Sequence, residues 1–296
     1  MQYLIKRAAI GCKHCIKIEK NDFEAILDSK EVLSTALTIE EQYLLLISNY
    51  EELEKELVFH AVSLTVRPPR EYKDFHRTRR VFNTRMINLL SACKLYADHL
   101  PHHIKQIVDE SSCEDVKSLF SAQYDFVFEY RFMEALRNYA QHRGFPVHKT
   151  SHRTFLTQPV SDESNHVHVL DIFSQKERLE DDGCFKAGVL EEMDEEVNLK
   201  HVVRRYVECM SAIHEDVRKI IGERISAARE LIDSYIERYQ RECEAKTIGL
   251  VAAMVDEYGV SKERVPMTLK WDDVRIELAS SNRLLKKLSL SYASGE

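Results

Sequence analysis

Arg137, Asn138 and His142 sit in the run Glu134-Ala135-Leu136-Arg137-Asn138-Tyr139-Ala140-Gln141-His142-Arg143-Gly144-Phe145-Pro146. A guanidinium holds a phosphate with a planar fork of donors, and an imidazole exchanges a proton near neutral pH. Together they are a minimum kit for cutting RNA without a metal. Little else in the chain points to chemistry.

Spacing alone does not single this pair out. Arg followed by His about a turn and a half later occurs three times, at Arg137/His142, Arg143/His148 and Arg70/His76, which is what the composition gives by chance. Context separates them. Arg143/His148 straddles Gly144 and Pro146, and Arg70/His76 has no amide beside its arginine. Only Arg137/His142 has Asn directly after Arg, on a helix that stops at once. At 100° per residue Asn138 and His142 share a face, about 40° apart, whereas Arg137 and His142 lie about 140° apart.

This run resembles the R-x4-6-H motif of the HEPN superfamily, the higher eukaryotes and prokaryotes nucleotide-binding domains. The resemblance covers about residues 130–147. It implies a metal-independent endoribonuclease that needs no cofactor. His142 would be general base or acid for attack by the RNA 2′-hydroxyl, Arg137 would hold the phosphate, and Asn138 would orient one of them. A 2′,3′-cyclic phosphate is the product so implied. Glu134, one turn earlier, would form a simple helix-surface ion pair with Arg137 or else position it. Members generally build the cleft where two domains meet, which implies a homodimer. They recur in bacterial toxin and anti-phage defence systems, which implies a neutralising or regulatory protein partner. No Tyr stands two residues after His142, where some HEPN toxins carry a modified tyrosine.

Hydrophobic periodicity supplies the elements that position the motif. Helices are expected over Glu40–Val66, Glu71–His99, a shorter piece after Pro101 and Tyr124–Arg143. Ser112 with Asp115 marks a further start. From Phe145 to Phe173 the period changes to that of a two-stranded hairpin. Glu195 to about Ala245 reads as one helix of roughly 75 Å or as two packed halves. Thr247–Tyr258 is expected to continue helically, and Val265–Ile276 to hold a short strand. The fold class is therefore mainly α, a HEPN-like helical bundle with a small β-hairpin and long C-terminal helices. Three segments follow: 1–144, 145–182 and 183–296.

Composition agrees, with only 8 Gly and 6 Pro in 296 residues, so helix breakers are scarce. No apolar run approaches the ~20 residues of a membrane helix, and Lys6 and Arg7 interrupt the N-terminal apolar stretch. The expectation is a cytoplasmic protein with no membrane partner and reduced thiols.

A net charge of −7 argues against a general nucleic-acid coat protein. The charge is uneven, however. Seven cations fall between Arg67 and Arg85 and five between Arg131 and Arg153, while eight acids crowd Glu180–Glu196. Arg143, Arg77 and Arg80 are the expected substrate-binding residues. The competing reading is a non-catalytic helical module that binds RNA, nucleotide or protein through the Arg67–Arg85 run.

No metal site is expected. Cys12-Lys13-His14-Cys15 is half a zinc site without its other half. His99, His102 and His103 with Asp98 suit a solvated turn, and His166 and His168 share one face of a strand. The chain has no P-loop, G-x-G-x-x-G, G-x-S-x-G or H-E-x-x-H.

Overall fold

The structure is a computed structural model that describes residues 1–8, 14–157, 164–181, 183–244 and 246–291. It is mainly α, with eight α-helices and two antiparallel sheets among those residues. The chain divides into two compact units, each discontinuous in sequence. Unit one comprises Met1–Glu41, His99–Val116 and Asp216–Arg283; unit two comprises Gln42–Asp98, Lys117–Glu215 and Leu284–Glu296.

Unit one holds a sheet of order β2-β1-β6-β7, built from β1 (Gln2–Arg7), β2 (Cys15–Ile18), β6 (Leu250–Val255) and β7 (Ser261–Pro266). The sheet overturns the expectation that Thr247–Tyr258 is helical. Leu250-Val251-Ala252-Ala253-Met254-Val255 is an unbroken apolar run, which periodicity cannot assign to helix or strand. Its place between β1 and β7 buries five of its six residues and decides the matter. The expected short strand ends at Pro266, and helix α8 (Lys270–Ser281) fills the rest. Cys12 and Lys13 of the cysteine pair lie outside the described residues.

Four helices contribute to both units: α1 (Lys20–Val66), α2 (Tyr72–Ile107), α3 (Ser111–Phe126) and α7 (Leu199–Cys243). Helix α1 starts twenty residues before the expected Glu40. Helix α2 passes through Pro101 without a break. Helix α3 is capped from outside: the Asp109 carboxylate accepts the Ser112 backbone N–H (2.8 Å) and the Ser111 hydroxyl (2.7 Å). Helix α7 is one continuous helix rather than two halves.

Within each unit α1 and α7 are joined by forked ion pairs. In unit one Arg218 donates to both oxygens of Glu40 (2.8 and 2.6 Å). In unit two Arg204 does the same to Glu54 (2.7 Å each). The arginine fork matches a carboxylate at two points, which fixes register as well as charge. Between the unit-two helices Tyr43 stacks on buried His214 (3.7 Å), whose Nδ1 meets the Tyr96 hydroxyl at 2.9 Å.

Unit two also carries α4 (Phe128–His142), the hairpin of β3 (Lys149–Leu156) and β4 (His166–Gln175), then α5 (Lys176–Glu180), α6 (Ala187–Glu192) and β5 (Glu196–Asn198). The hairpin forms as expected, and β5 adds a third strand beside β4. His166 and His168 stack on one face of β4. Asp171 on β4 is only 2% exposed in its side chain, yet it takes hydrogen bonds from Arg153 and Asn198 and an ion pair from Lys200. Burial alone would raise its pKa; the donors Lys200, Arg153 and Asn198 outweigh burial and hold the carboxyl below its ordinary value.

A carboxyl with a lowered folded-state pKa stabilises above its unfolded value of about 3.9, and that contribution is lost as pH falls through the folded value. Asp171→Asn should therefore cost about 2–3 kcal/mol at neutral pH, discounted from a fully buried pair because Arg153 is exposed. Urea unfolding at neutral pH and at pH near 3 checks this. The gap between wild type and variant should shrink in acid.

Candidate functional site

Helix α4 is amphipathic. Tyr130, Phe132, Met133, Ala135 and Leu136 are buried, while Asn138, Gln141 and His142 are exposed. The helix ends because the Tyr139 carbonyl accepts the N–H of both Arg143 (2.8 Å) and Gly144 (3.2 Å). Gly144 is not in the left-handed region. Its role is space, since a Cβ there would lie 2.5 Å from the Tyr139 phenolic oxygen.

The chain beyond Gly144 is clasped to α2. Buried Asn83 accepts the Val147 N–H through Oδ1 (2.8 Å) and donates through Nδ2 to the Val147 carbonyl (3.1 Å). One turn earlier on the same helix face, Nη1 of Arg79 donates to the His148 carbonyl (3.1 Å). His148 N–H then bonds the Phe173 carbonyl, opening the hairpin.

Between α4 and the start of α6 lies a cavity of about 380 Å³. Asn138, His142 and Arg143 line it, with Glu134, Tyr139 and Lys186. Lys186 lies over the Tyr124 ring (4.4 Å) and donates to its hydroxyl. Arg143 donates through Nη2 to Cys184 Sγ (3.2 Å).

Arg137 is not part of this lining. Its residue is 9% exposed, and its guanidinium donates to Glu134 Oε2 (3.2 Å) and, weakly, to Gln141 Oε1 (3.4 Å). The other oxygen of Glu134 accepts the buried Tyr206 hydroxyl (2.8 Å). Burial holds that phenol well above its ordinary pKa, so it remains a donor. The helical angle that separates Arg137 from His142 in sequence thus persists. Asn138 and His142 share the cavity, and Arg137 stands behind Glu134.

Of the expected binding arginines, Arg143 reaches the groove and the α2 pair does not. Arg77 lines a different cavity with His60, Arg67 and His152, and Arg80 is exposed on α2 away from both. Arg79, between them in sequence, faces the chain after α4. Lys186 was not anticipated, because it lies in an acidic stretch that only folding brings to α4.

The Arg131–Arg153 run is largely neutralised in place. Arg131 pairs with Glu192 (2.6 Å), Lys149 with Glu196 (2.8 Å) and Arg153 with Asp171 (2.5 Å). Among the described residues no group of three or more His, Cys, Asp or Glu is arranged to hold a metal ion. No described helix is long and apolar enough to cross a membrane.

No protein-family model, no curated protein and no solved structure matches the chain.

The clasp generates a prediction. Asn83→Ala leaves a buried N–H and a buried carbonyl of Val147 without partners, at about 1–3 kcal/mol each. The variant should lose about 2–4 kcal/mol by urea unfolding, and backbone exchange should rise at Val147 and His148. Wild-type stability in the variant would remove the clasp from the account of how α4 is positioned.

Proposed function

We propose that the groove at the end of α4 is a metal-independent endoribonuclease centre of HEPN type, acting in a homodimer. One observation carries the reading: Asn138 and His142 lie exposed in a single cavity with the cations of Arg143 and Lys186. A phosphodiester entering the groove would meet positive charge from Arg143 and Lys186, an amide donor from Asn138 and an imidazole from His142. The imidazole takes the proton from the 2′-hydroxyl; the oxygen attacks the adjacent phosphorus, and the 5′-oxygen leaves with a proton. A base and an acid are both required, and each protomer has one His142, so a second copy would supply the other group.

In this account Arg137 is a positioning residue. It holds Glu134, which fixes the floor of the groove, and phosphate contact passes to Arg143 and Lys186. The same ion pair favours a second reading, a helical module that binds RNA or nucleotide without cutting it, because a guanidinium committed to Glu134 is not offered to a phosphate.

The test separates the two. Purified protein should cleave single-stranded RNA in EDTA and leave 2′,3′-cyclic phosphate ends. His142→Ala should slow cleavage by about 10²–10⁴-fold with its melting temperature unchanged. Arg143→Gln should raise KM more than it lowers kcat. Equal RNA binding by wild type and His142→Ala, with no cleavage by either, would leave only the binding module.

A further inference from the structure

Two adjoining cavities of about 350 and 320 Å³ lie within unit two, neither of them lined by His142. Arg79, His148, Gln175 and Arg178 line both, so the two share a wall. No Asp or Glu among the described residues lines either one. The neighbouring hollows differ: Glu134 lines the α4 groove, and Glu71 and Asp74 line the cavity at Arg77.

Neither guanidinium is ion-paired to a carboxylate among the described residues; the nearby Glu196 is held by Lys149 (2.8 Å) and Gln175 (2.9 Å), both of which line the larger cavity. Nη1 of Arg79 is given to a backbone carbonyl, which satisfies a donor but cancels no charge. Arg178 stands exposed on α5, and no ion pair among the described residues joins it to a carboxylate. Two arginine forks on one hollow, neither joined to a carboxylate among the described residues, make a site of positive potential suited to an oxyanion. His148 adds no charge. Its Nδ1 accepts the Gln175 N–H (2.9 Å), and burial pushes its pKa down to about 4, so the ring is a neutral wall.

Each cavity has an exposed aromatic side chain in its lining. Tyr72, 77% exposed, lines the larger cavity, and Phe145, 66% exposed, lines the smaller. One exposed ring is ordinary; two in the lining of cavities that share an arginine pair match how single-stranded nucleic acid is held, by phosphate to guanidinium and base to ring.

We propose that these adjoining cavities bind a nucleotide, its phosphate between Arg79 and Arg178 and its base stacked on Tyr72 or Phe145. Tyr139 lines both the smaller cavity and the α4 groove, so this subsite adjoins that groove. The inference stands whether or not the groove cuts RNA.

Titration calorimetry of the full chain tests it with two probes, adenosine 5′-monophosphate and a short 2′-O-methylated RNA, which has no attacking hydroxyl. Arg178→Gln is the main variant because the side chain is exposed and the fold does not depend on it. It should weaken at least one probe roughly tenfold. For the RNA it should also flatten the slope of log affinity against log salt by about 0.7. Loss with both probes marks a nucleotide site; loss with the RNA alone marks a subsite of a longer chain. Arg264→Gln on β7 removes the same charge outside the site and should bind as wild type. The proposal is overturned if Arg178→Gln binds both probes as wild type does, or if Arg264→Gln weakens them equally. Arg178-dependent binding by a protein that cleaves nothing would overturn the ribonuclease reading and leave this one standing.

Discussion

The two-point hydrogen bond between the Asn83 side chain and the backbone of Val147 is the constraint on which the rest of unit two's candidate surface depends. A chain leaving a helix must satisfy its backbone polar groups somewhere, and buried groups have no water to turn to. Asn83 provides both a donor and an acceptor at one buried point, so it serves for the missing edge of a strand. That fixes where the chain goes after α4, where β3 begins, and therefore where His142 and His148 stand with respect to α2. Gly144 leaves room for the Tyr139 phenol over the turn, where a Cβ would require that side chain to shift.

Charge is used in unit two mainly for cohesion. The acidic segment that follows the hairpin gives Glu192 to Arg131 and Glu196 to Lys149, while Asp171 takes Arg153 and Lys200. The more exposed pairs of Glu192 and Glu196 contribute little individually, unlike buried Asp171, but together they remove the broad positive field that the Arg131–Arg153 run suggests. What positive character remains is local. It includes Lys186 beside α4 and Arg79 and Arg178 beside His148. A chain of net charge −7 can in this way keep local positive character without a generally basic surface.

The motif helix shows how spacing and orientation divide the work. Residues four apart share a face, so Asn138 and His142 emerge together. Residues five apart diverge, so Arg137 turns inward to Glu134, itself anchored by the Tyr206 hydroxyl. Whatever role Arg137 has is exerted through Glu134 in this arrangement. The groove's cations come instead from Arg143, just past the helix end, and Lys186, far along the chain.

Local rules carried a good part of this. The mainly helical class followed from scarce Gly and Pro and from apolar periodicity; the stop after His142 followed from Gly144 and Pro146; the hairpin followed from its alternation. Each depends on neighbours within a turn or two. The pairing of Asn138 with His142 was legible for the same reason. Leu250–Val255 was not, because an unbroken apolar run takes its conformation from what flanks it, and β1 lies some 250 residues away in sequence. Nor could sequence order show that Arg79 rather than Arg77 or Arg80 faces the chain after α4, that Asn83 clasps Val147, or that Lys186 leaves its acidic stretch to face α4. Those depend on which side of each helix is covered by distant chain, a choice made by the total burial and hydrogen bonding of the folded unit.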